Sequence, residues 1–483
     1  MGVKAVRNGQ RKGLWIDGRY EETKDWSPVL SKSDGRLLAE VGRGTREDVH
    51  RAVEAAVRAY AAYRTYPAHA RSAILYRVAQ MLEERSEAAA RLIAEEAGKP
   101  LKTARLEVRR AVQTYRFAAE EAKRIGGETI PMDAAVGGEG RLGFTWREPL
   151  GVVAAITPFN FPLNLVAHKL GPALAAGNTV VLKPAGATPL SAFFVAELFH
   201  EAGLPPGALN VLSGPGGEIG DALVEHPRVK AVTFTGSAAV GKRIREKSGL
   251  KRTLLELGSN SAVIVEPDAP FEMAVARTAE GAFQYAGQIC ISVQRIYVHE
   301  AIYDRFHAAL LEKVKALKVG DPLDEATDVG PLIHEGEAAR VAAWIEEAVA
   351  GGARIETGGV KEGPYLSPTL LTGVTPEMRV VREEVFGPVA TLVRYRDLEE
   401  AIALVNDSRY GLNVGVFTRD IAKAFRAARR LEAGGVMIND IPTFRVDHMP
   451  YGGVKESGYG REGVKYAIEE LTELKLVVVH VDV

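Results

Sequence analysis

Two kinds of apolar spacing follow one another along the chain. Thr45 with Asp48 three residues on forms a capping-box pattern ahead of a run rich in Ala and Val. Helical spacing then continues, with breaks, to about Lys123, where Gly126-Gly127 ends it. Residues 1–44 read as a lead-in with short strands, such as 13–18. From 151 the rhythm changes. Short apolar runs at 151–156, 179–182, 210–212 and 231–234 each lead through a turn into a helical stretch, two of which span 162–176 and 189–202. Such alternation predicts βαβ units on a parallel sheet, which binds ligands at the carboxyl ends of its strands. A second α/β region is predicted from about Glu256 to Gly453, with strands at 261–265 and 414–417. The last apolar run, 474–481, predicts a terminal strand whose edge needs a partner, and pairing with another subunit supplies one.

The stretch 149–167 carries no charge and is long enough to cross a bilayer. It holds Pro149, Pro158 and Pro162 with Asn160 and Asn164, however, which predicts a strand, a turn and a helix start instead. At 483 residues the chain exceeds one hydrophobic core, so two or three domains are expected. With 46% apolar and 25% charged residues it reads as an ordered globular protein. Lys+Arg 61 against Asp+Glu 62 favours neither nucleic acid nor a membrane surface as partner. The N-terminus has no apolar signal segment, and one cysteine makes no intrachain disulfide, so a cytoplasmic location is expected.

That cysteine, Cys290, lies in Gly287-Gln288-Ile289-Cys290-Ile291-Ser292 with no zinc-ligand spacing, so no metal is expected. Two readings remain for it: a small buried hydrophobe, or a catalytic nucleophile. Two glycine clusters could cradle phosphate. Gly214, Gly216 and Gly220 fall one residue off the dinucleotide fingerprint. The run 236–242 matches the first seven P-loop positions, but Arg243 stands where Ser or Thr must ligate magnesium. Tight βα turns explain both clusters equally well. A helix N-terminus near Ser237 nonetheless suits a pyrophosphate.

Seven separated stretches then fall together: Thr157-Pro158-Phe159-Asn160-Phe161-Pro162, Lys183-Pro184, Phe234-Thr235-Gly236-Ser237, Leu255-Glu256-Leu257-Gly258, Gly287-Gln288-Ile289-Cys290, Glu384-Val385-Phe386-Gly387-Pro388 and Pro450-Tyr451-Gly452-Gly453. In order and spacing, from about residue 15 to the end, the chain resembles the aldehyde dehydrogenase superfamily. Within it, the chain is similar to the non-acylating, NAD(P)-dependent branch of lactaldehyde, succinate-semialdehyde and non-phosphorylating glyceraldehyde-3-phosphate dehydrogenases. The resemblance implies an α/β fold of two doubly wound α/β domains plus a small β oligomerisation arm. Residues 1–123 and 148–255 would form the Rossmann-like cofactor domain, 256–453 the catalytic domain, and 124–147 with 454–483 the arm. It also implies a homodimer or homotetramer acting on a small aldehyde, with no nucleic-acid or membrane partner.

The implied chemistry begins with the Cys290 thiolate attacking the aldehyde carbon to form a thiohemiacetal. Its oxyanion would be held by the Asn160 amide and the Cys290 backbone N–H. Hydride leaves to the nicotinamide, and Glu256 resembles the general base that activates water against the resulting thioester. Lys169 matches a family lysine near the site, its role left open. For NADP or NAD, Lys183 resembles the ligand of the adenosine ribose, Ser237 a pyrophosphate contact, and Glu384 the nicotinamide-ribose ligand beside Phe386. Further cofactor contacts are implied along the same motifs, first at Ile156, Thr157, Pro158 and Phe159. Others follow at Ala185, Gly186, Gly216 and Gly220, then at Phe234, Gly236 and Val240, and finally at Leu257 and Gly258.

Three departures from the family pattern matter. Many NAD-preferring relatives carry Glu where this chain has Gly186, so NADP should be admitted or even preferred, with Lys183 available to its 2′-phosphate. Gly258-Ser259-Asn260 replaces two glycines and a lysine without removing a catalytic group. The substrate walls align to Arg110, Phe161, Asn164 and His168, together with Ile289, Ile291 and Arg445. Arg110 and Arg445 fall at phosphate-binding positions of the glyceraldehyde-3-phosphate enzymes, while Ile289 stands in place of a third arginine. This combination points to small polar or anionic aldehydes. Three alternatives are set against it: a coenzyme A-acylating enzyme, a P-loop nucleotide-binding protein on 236–242, and a non-catalytic structural protein. Glu256 argues against the first, Arg243 against the second, and intact Cys290, Glu256 and Asn160 against the third.

Overall fold

The computed structural model describes residues 10–481. The apolar runs of the first half become the parallel centre of an eight-stranded sheet, in the order Arg252–Glu256, Val229–Thr235, Val152–Ile156, Thr179–Lys183, Leu209–Val211. Only Lys230 and Arg252 of these strands are exposed, because helices cover both faces of the sheet. That is why the strands read as continuous apolar runs and not as alternating ones. Antiparallel strands close the two sides: Gly458–Tyr459 on one, Leu14–Ile16 with Arg19–Glu21 on the other. From Val152–Ile156 the next strand, Thr179–Lys183, lies to one side and the later Val229–Thr235 to the other. This reversal opens a crevice at the strand carboxyl ends, where Thr157, Lys183 and Gly236 emerge.

Two helix starts are held by particular side chains. Arg46–Tyr63 opens with the expected capping box: Thr45 Oγ1 accepts the Asp48 N–H, and Asp48 accepts the Thr45 N–H. The helix Asn164–Ala175 is buried along its whole length. Glu107, itself buried on the helix Leu101–Glu121, accepts the Leu163 and Asn164 N–H groups at 2.9 and 3.1 Å. These first-turn donors have no partner within their own helix, so the carboxylate anchors the turn that leads from Asn160 into it.

A second sheet of seven strands runs in the order Arg354–Thr357, Thr369–Thr372, Val389–Tyr395, Arg295–His299, Ala262–Val265, Asn413–Phe417, Gly435–Ile438. All its pairings are parallel except that of the edge strand Arg354–Thr357. The terminal run forms Thr472–His480, paired antiparallel with Arg141–Pro149 over nine residues. Thr129–Ile130 completes this three-stranded sheet. Leu474, Leu476, Val478 and Val479 stay exposed, and among the described residues the far edge of Thr472–His480 has no neighbour. The preceding segment goes elsewhere: Gly458–Tyr459 joins the first sheet and Val464–Glu470 packs on Asn164–Ala175. The uncharged stretch 149–167 forms a strand, a turn and a helix start. No helix among the described residues is long and apolar enough to cross a membrane.

Candidate active site

Cys290 sits in a loop whose path is set two turns earlier. Tyr285 and Ala286 both adopt φ 52°, and Gly287 follows at φ 68°. Left-handed backbone at two non-glycine residues is strained, and such strain gathers at functional sites. A Cβ at Gly287 would collide with the carbonyl of Gly387, so only glycine passes there. Asn160 Nδ2 donates to the Gln288 carbonyl at 2.9 Å and ties its own turn to this loop. The amide has a second N–H, as an oxyanion donor requires. The Cys290 sulfur lies 3.1 Å from the Tyr451 hydroxyl. Burial pushes the thiol up to about 12; the Tyr451 hydrogen bond and the Arg445 cation pull it down, while Glu384 and Glu256 push it up.

In front of Cys290 lies a cavity of about 600 Å³. Arg110, Phe161, Asn164, Ile289, Ile291 and Arg445 line it, as the aligned walls require. His168 does not. Its side chain is fully buried behind the wall, with Nε2 2.8 Å from Asp447. Burial and the Arg445 cation lower its pKa, which disfavours the imidazolium. Asp447, unforeseen in the sequence, gathers two wall residues, Arg110 at 2.8 Å and Asn164 Nδ2 at 3.1 Å, together with His168 behind them. Despite its burial, His168 and Arg110 hold its carboxyl well below the usual range.

Glu256 ends its strand buried, with Oε2 lacking any hydrogen-bond partner. A Cβ at Gly452 would stand 2.9 Å from Oε1, so glycine there leaves room for the carboxyl. Burial and the nearby Glu462 push Glu256 well above the ordinary carboxylate range. Glu462 binds Lys169 and Arg445, each at 3.0 Å, and against the cost of burial these two cations hold it well below that range. Lys169 also donates to Thr233 Oγ1 at 3.2 Å. Neither Glu462 nor Tyr451 was assigned a role from the sequence. Only the folded chain brings 445–462 against 169 and 256.

A second recess, about 330 Å³, opens at the crevice of the first sheet. Ile156, Thr157 and Pro158 form one side, with Lys183, Gly216 and Gly220 beyond them. Phe234, Gly236 and Val240 form the other. Burial lowers the Lys183 ammonium to about 8, a cost that a bound anion or hydroxyl would offset. Ser237 caps the helix Ala238–Ser248, its Oγ accepting the Val240 N–H. Apolar walls, bare glycine backbone, a lysine and a helix N-terminus fit an adenine dinucleotide. Arg243 also lines the recess, held by Asp221. Lys242 instead bonds Glu456 at the surface, 2.6 Å away, so the P-loop reading fails.

The remaining cofactor candidates divide between two places. Glu384 and Phe386 meet Ser259 and Ile289 at a small recess beside Cys290. Glu384 accepts the Ser259 N–H at 3.0 Å, and burial pushes its carboxyl up to about 7. A Cβ on Gly258 would collide with that carboxylate. Phe159 stands edge-on to Phe386 with ring centroids 5.7 Å apart. Leu257 packs under Gly241 of the helix Ala238–Ser248. Ala185 and Gly186 lie on the turn after Lys183, outside the recess, and nothing comes within 4 Å of where a Gly186 Cβ would project.

The aldehyde dehydrogenase family model matches residues 15–477. The chain is 51% identical over 468 residues to a 3-sulfolactaldehyde dehydrogenase of Priestia aryabhattai, covering 97% of this chain and 98% of that one. Its structure is similar to that of aldehyde dehydrogenase 21 from Physcomitrella patens in complex with the reaction product succinate. That match has TM-score 0.96 and 40% identity, over 98% and 99% of the two chains. It is also similar to a glyceraldehyde-3-phosphate dehydrogenase from Methanocaldococcus jannaschii complexed with NADP. There the TM-score is 0.91 and the identity 40%, over 95% and 100% of the chains.

Proposed function

The chain belongs to the aldehyde dehydrogenase family and oxidises an aldehyde to a carboxylic acid with NAD or NADP; we propose that Cys290, Asn160 and Glu256 carry that reaction. One observation carries the assignment. The single thiol of the chain lines a cavity of aldehyde size, within electrostatic reach of a buried carboxyl that keeps one oxygen unpartnered.

The Cys290 thiolate attacks the aldehyde carbon. The second N–H of Asn160 and the Cys290 backbone N–H receive the oxyanion that forms. Glu384 and Phe386 would hold the nicotinamide, which when bound would supply the hydride acceptor; Cys290 keeps the acyl group as a thioester. Glu256 then accepts a proton from the water that attacks this thioester. Its raised proton affinity suits that task, and the free Oε2 is the acceptor. Lys169 is a positioning residue: it fixes Glu462, whose negative charge adds to burial in keeping the Glu256 pKa high, while the Lys169 cation itself draws that pKa down. Water as acceptor sets this enzyme apart from an acylating one.

The substrate is a small aldehyde bearing a hydroxyl or an anionic group. Arg110 gives two N–H groups to Asp447 and has five in all, so others can meet a substrate anion. The 3-sulfolactaldehyde dehydrogenase of Priestia, whose name describes an anionic aldehyde, supports this reading. Gly186 puts no carboxylate against a 2′-phosphate, so NADP is accepted alongside NAD. Residues 1–123 and 148–255 bind the cofactor and 256–453 carry the catalytic loop. The strand Thr472–His480 pairs through its open edge with a second subunit, giving a homodimer or homotetramer in the cytoplasm. Absorbance at 340 nm with a panel of neutral and anionic aldehydes tests the substrate class. A higher kcat/KM for anionic members is expected, and a preference for long apolar aldehydes would overturn it.

A further inference from the structure

We propose that Tyr451 is a further catalytic residue, its hydroxyl donating a hydrogen bond to the Cys290 thiolate and so stabilising the nucleophile. The inference rests on Cys290 being that nucleophile. Three observations support it. The Tyr451 oxygen lies 3.1 Å from Sγ, and among the described residues no other hydrogen bond engages this hydroxyl. The residue is buried and its backbone is pinned on both sides: its N–H donates to the Glu462 carbonyl at 3.0 Å, and its own carbonyl accepts the Glu462 N–H at 2.7 Å. The Arg445 guanidinium lies 3.7 Å from the ring centroid and draws density from the phenol, which makes the O–H a better donor. Arg445 is itself held by Glu462 at 3.0 Å, which keeps its guanidinium over the ring.

The groups facing Cys290 show why a donor is needed. Burial opposes the thiolate, and so do the carboxyls of Glu256 and Glu384. Arg445 and the Tyr451 hydroxyl act the other way. Tyr451 is suited to donate because burial, and then Cys290, raise its own pKa well above the ordinary phenol value, so it keeps its proton. A hydrogen bond to an ionised acceptor is among the stronger kinds, and in a buried site no water replaces it. Phenylalanine would keep the ring packing and the stacked guanidinium while removing the donor alone.

Because Cys290 is the one cysteine in the chain, the loss of free thiol on treatment with iodoacetamide reports this group. The test is the pH dependence of the alkylation rate in the intact protein and in Tyr451→Phe. The midpoint should rise by about one pH unit or more in the variant, with alkylation roughly tenfold slower below it. The kcat/KM for aldehyde should fall in parallel while cofactor binding is unchanged, a pattern that loss of packing would not produce. Site-specific 3-fluorotyrosine at 451, a stronger donor, should shift the midpoint downward, which guards against a variant that folds poorly. An unchanged midpoint in both variants would overturn the role of Tyr451. Full turnover by the alkylated protein would instead remove Cys290 as nucleophile, and the proposal with it.

Discussion

The cofactor recess is walled by strand ends and bare glycine backbone, whereas the cavity in front of Cys290 is walled by side chains from four distant segments, three of which set charged groups among apolar ones. In the recess, Lys183 and the Arg243–Asp221 pair are the charged groups among apolar walls. Around the cavity, Arg110, Asp447, Arg445, Glu462, Lys169 and Glu256 form a continuous run of buried or half-buried charge, nearly every member paired. The difference has an energetic consequence. The open Gly186 turn beside the recess can be altered with an effect on affinity alone, since nothing lies within 4 Å of a Cβ there. Removing one partner of a buried ion pair strands the other and costs stability as well.

Four substitutions probe that contrast. Cys290→Ser has the largest effect: oxidation of every aldehyde should fall by at least ~10³-fold, while fluorescence titration finds cofactor affinity unchanged. Residual turnover of more than a few per cent would reject the assignment. Asp447→Asn comes next. Its carboxyl is held below the usual range in the fold, so it contributes stability above the unfolded-state pKa and loses it as pH falls through the lower folded value. The variant should lose about 2–4 kcal/mol near neutral pH, measured by denaturant unfolding, with a smaller loss in acid. Equal losses at both pH values would mean that the Arg110 contact is not ionic.

Gly186→Glu acts on the cofactor side. It should leave stability unchanged and weaken NADP relative to NAD by about ten- to a hundredfold, measured as the two KM values at fixed salt. An unchanged ratio would mean that this open turn does not face the 2′ position. Lys242→Ala should do least. It removes an exposed pair with Glu456 worth about 0–1 kcal/mol and should leave both cofactor KM values within a factor of two. A large rise in either would revive phosphate binding by the 236–242 turn.

The same contrast decides what could be read from the chain alone. The strands of the first sheet are apolar on both faces, so they announced themselves as short uninterrupted runs, whereas the recess residues came from the family resemblance. Cys290 stood out by being alone. Asp447 and Glu462 did not stand out, because a carboxylate in a loop is ordinarily a solvated one. Only contacts spanning 279 and 293 residues make these two buried partners of His168 and Lys169. His168 aligned to the wall but turns to Asp447 behind it, since a buried imidazole satisfies a carboxylate better than an open cavity does. Arg243 entered the sequence reading as evidence against magnesium binding, yet it lines the recess through its pair with Asp221. Periodicity also could not show that the chain between Gly453 and Thr472 turns back to close the first sheet and pack on the Asn164–Ala175 helix.

The central claim is a division of labour in which Cys290 takes the acyl group and Glu256 is needed only to release it. Mixing Glu256→Gln with an aldehyde and NADP or NAD, then recording intact mass alongside absorbance at 340 nm, tests this most directly. The account predicts one equivalent of reduced cofactor per active site in a burst, followed by a stall with the protein heavier by one acyl group on Cys290. A variant that forms no burst and keeps its unmodified mass would contradict it, because Glu256 would then act before the thioester exists.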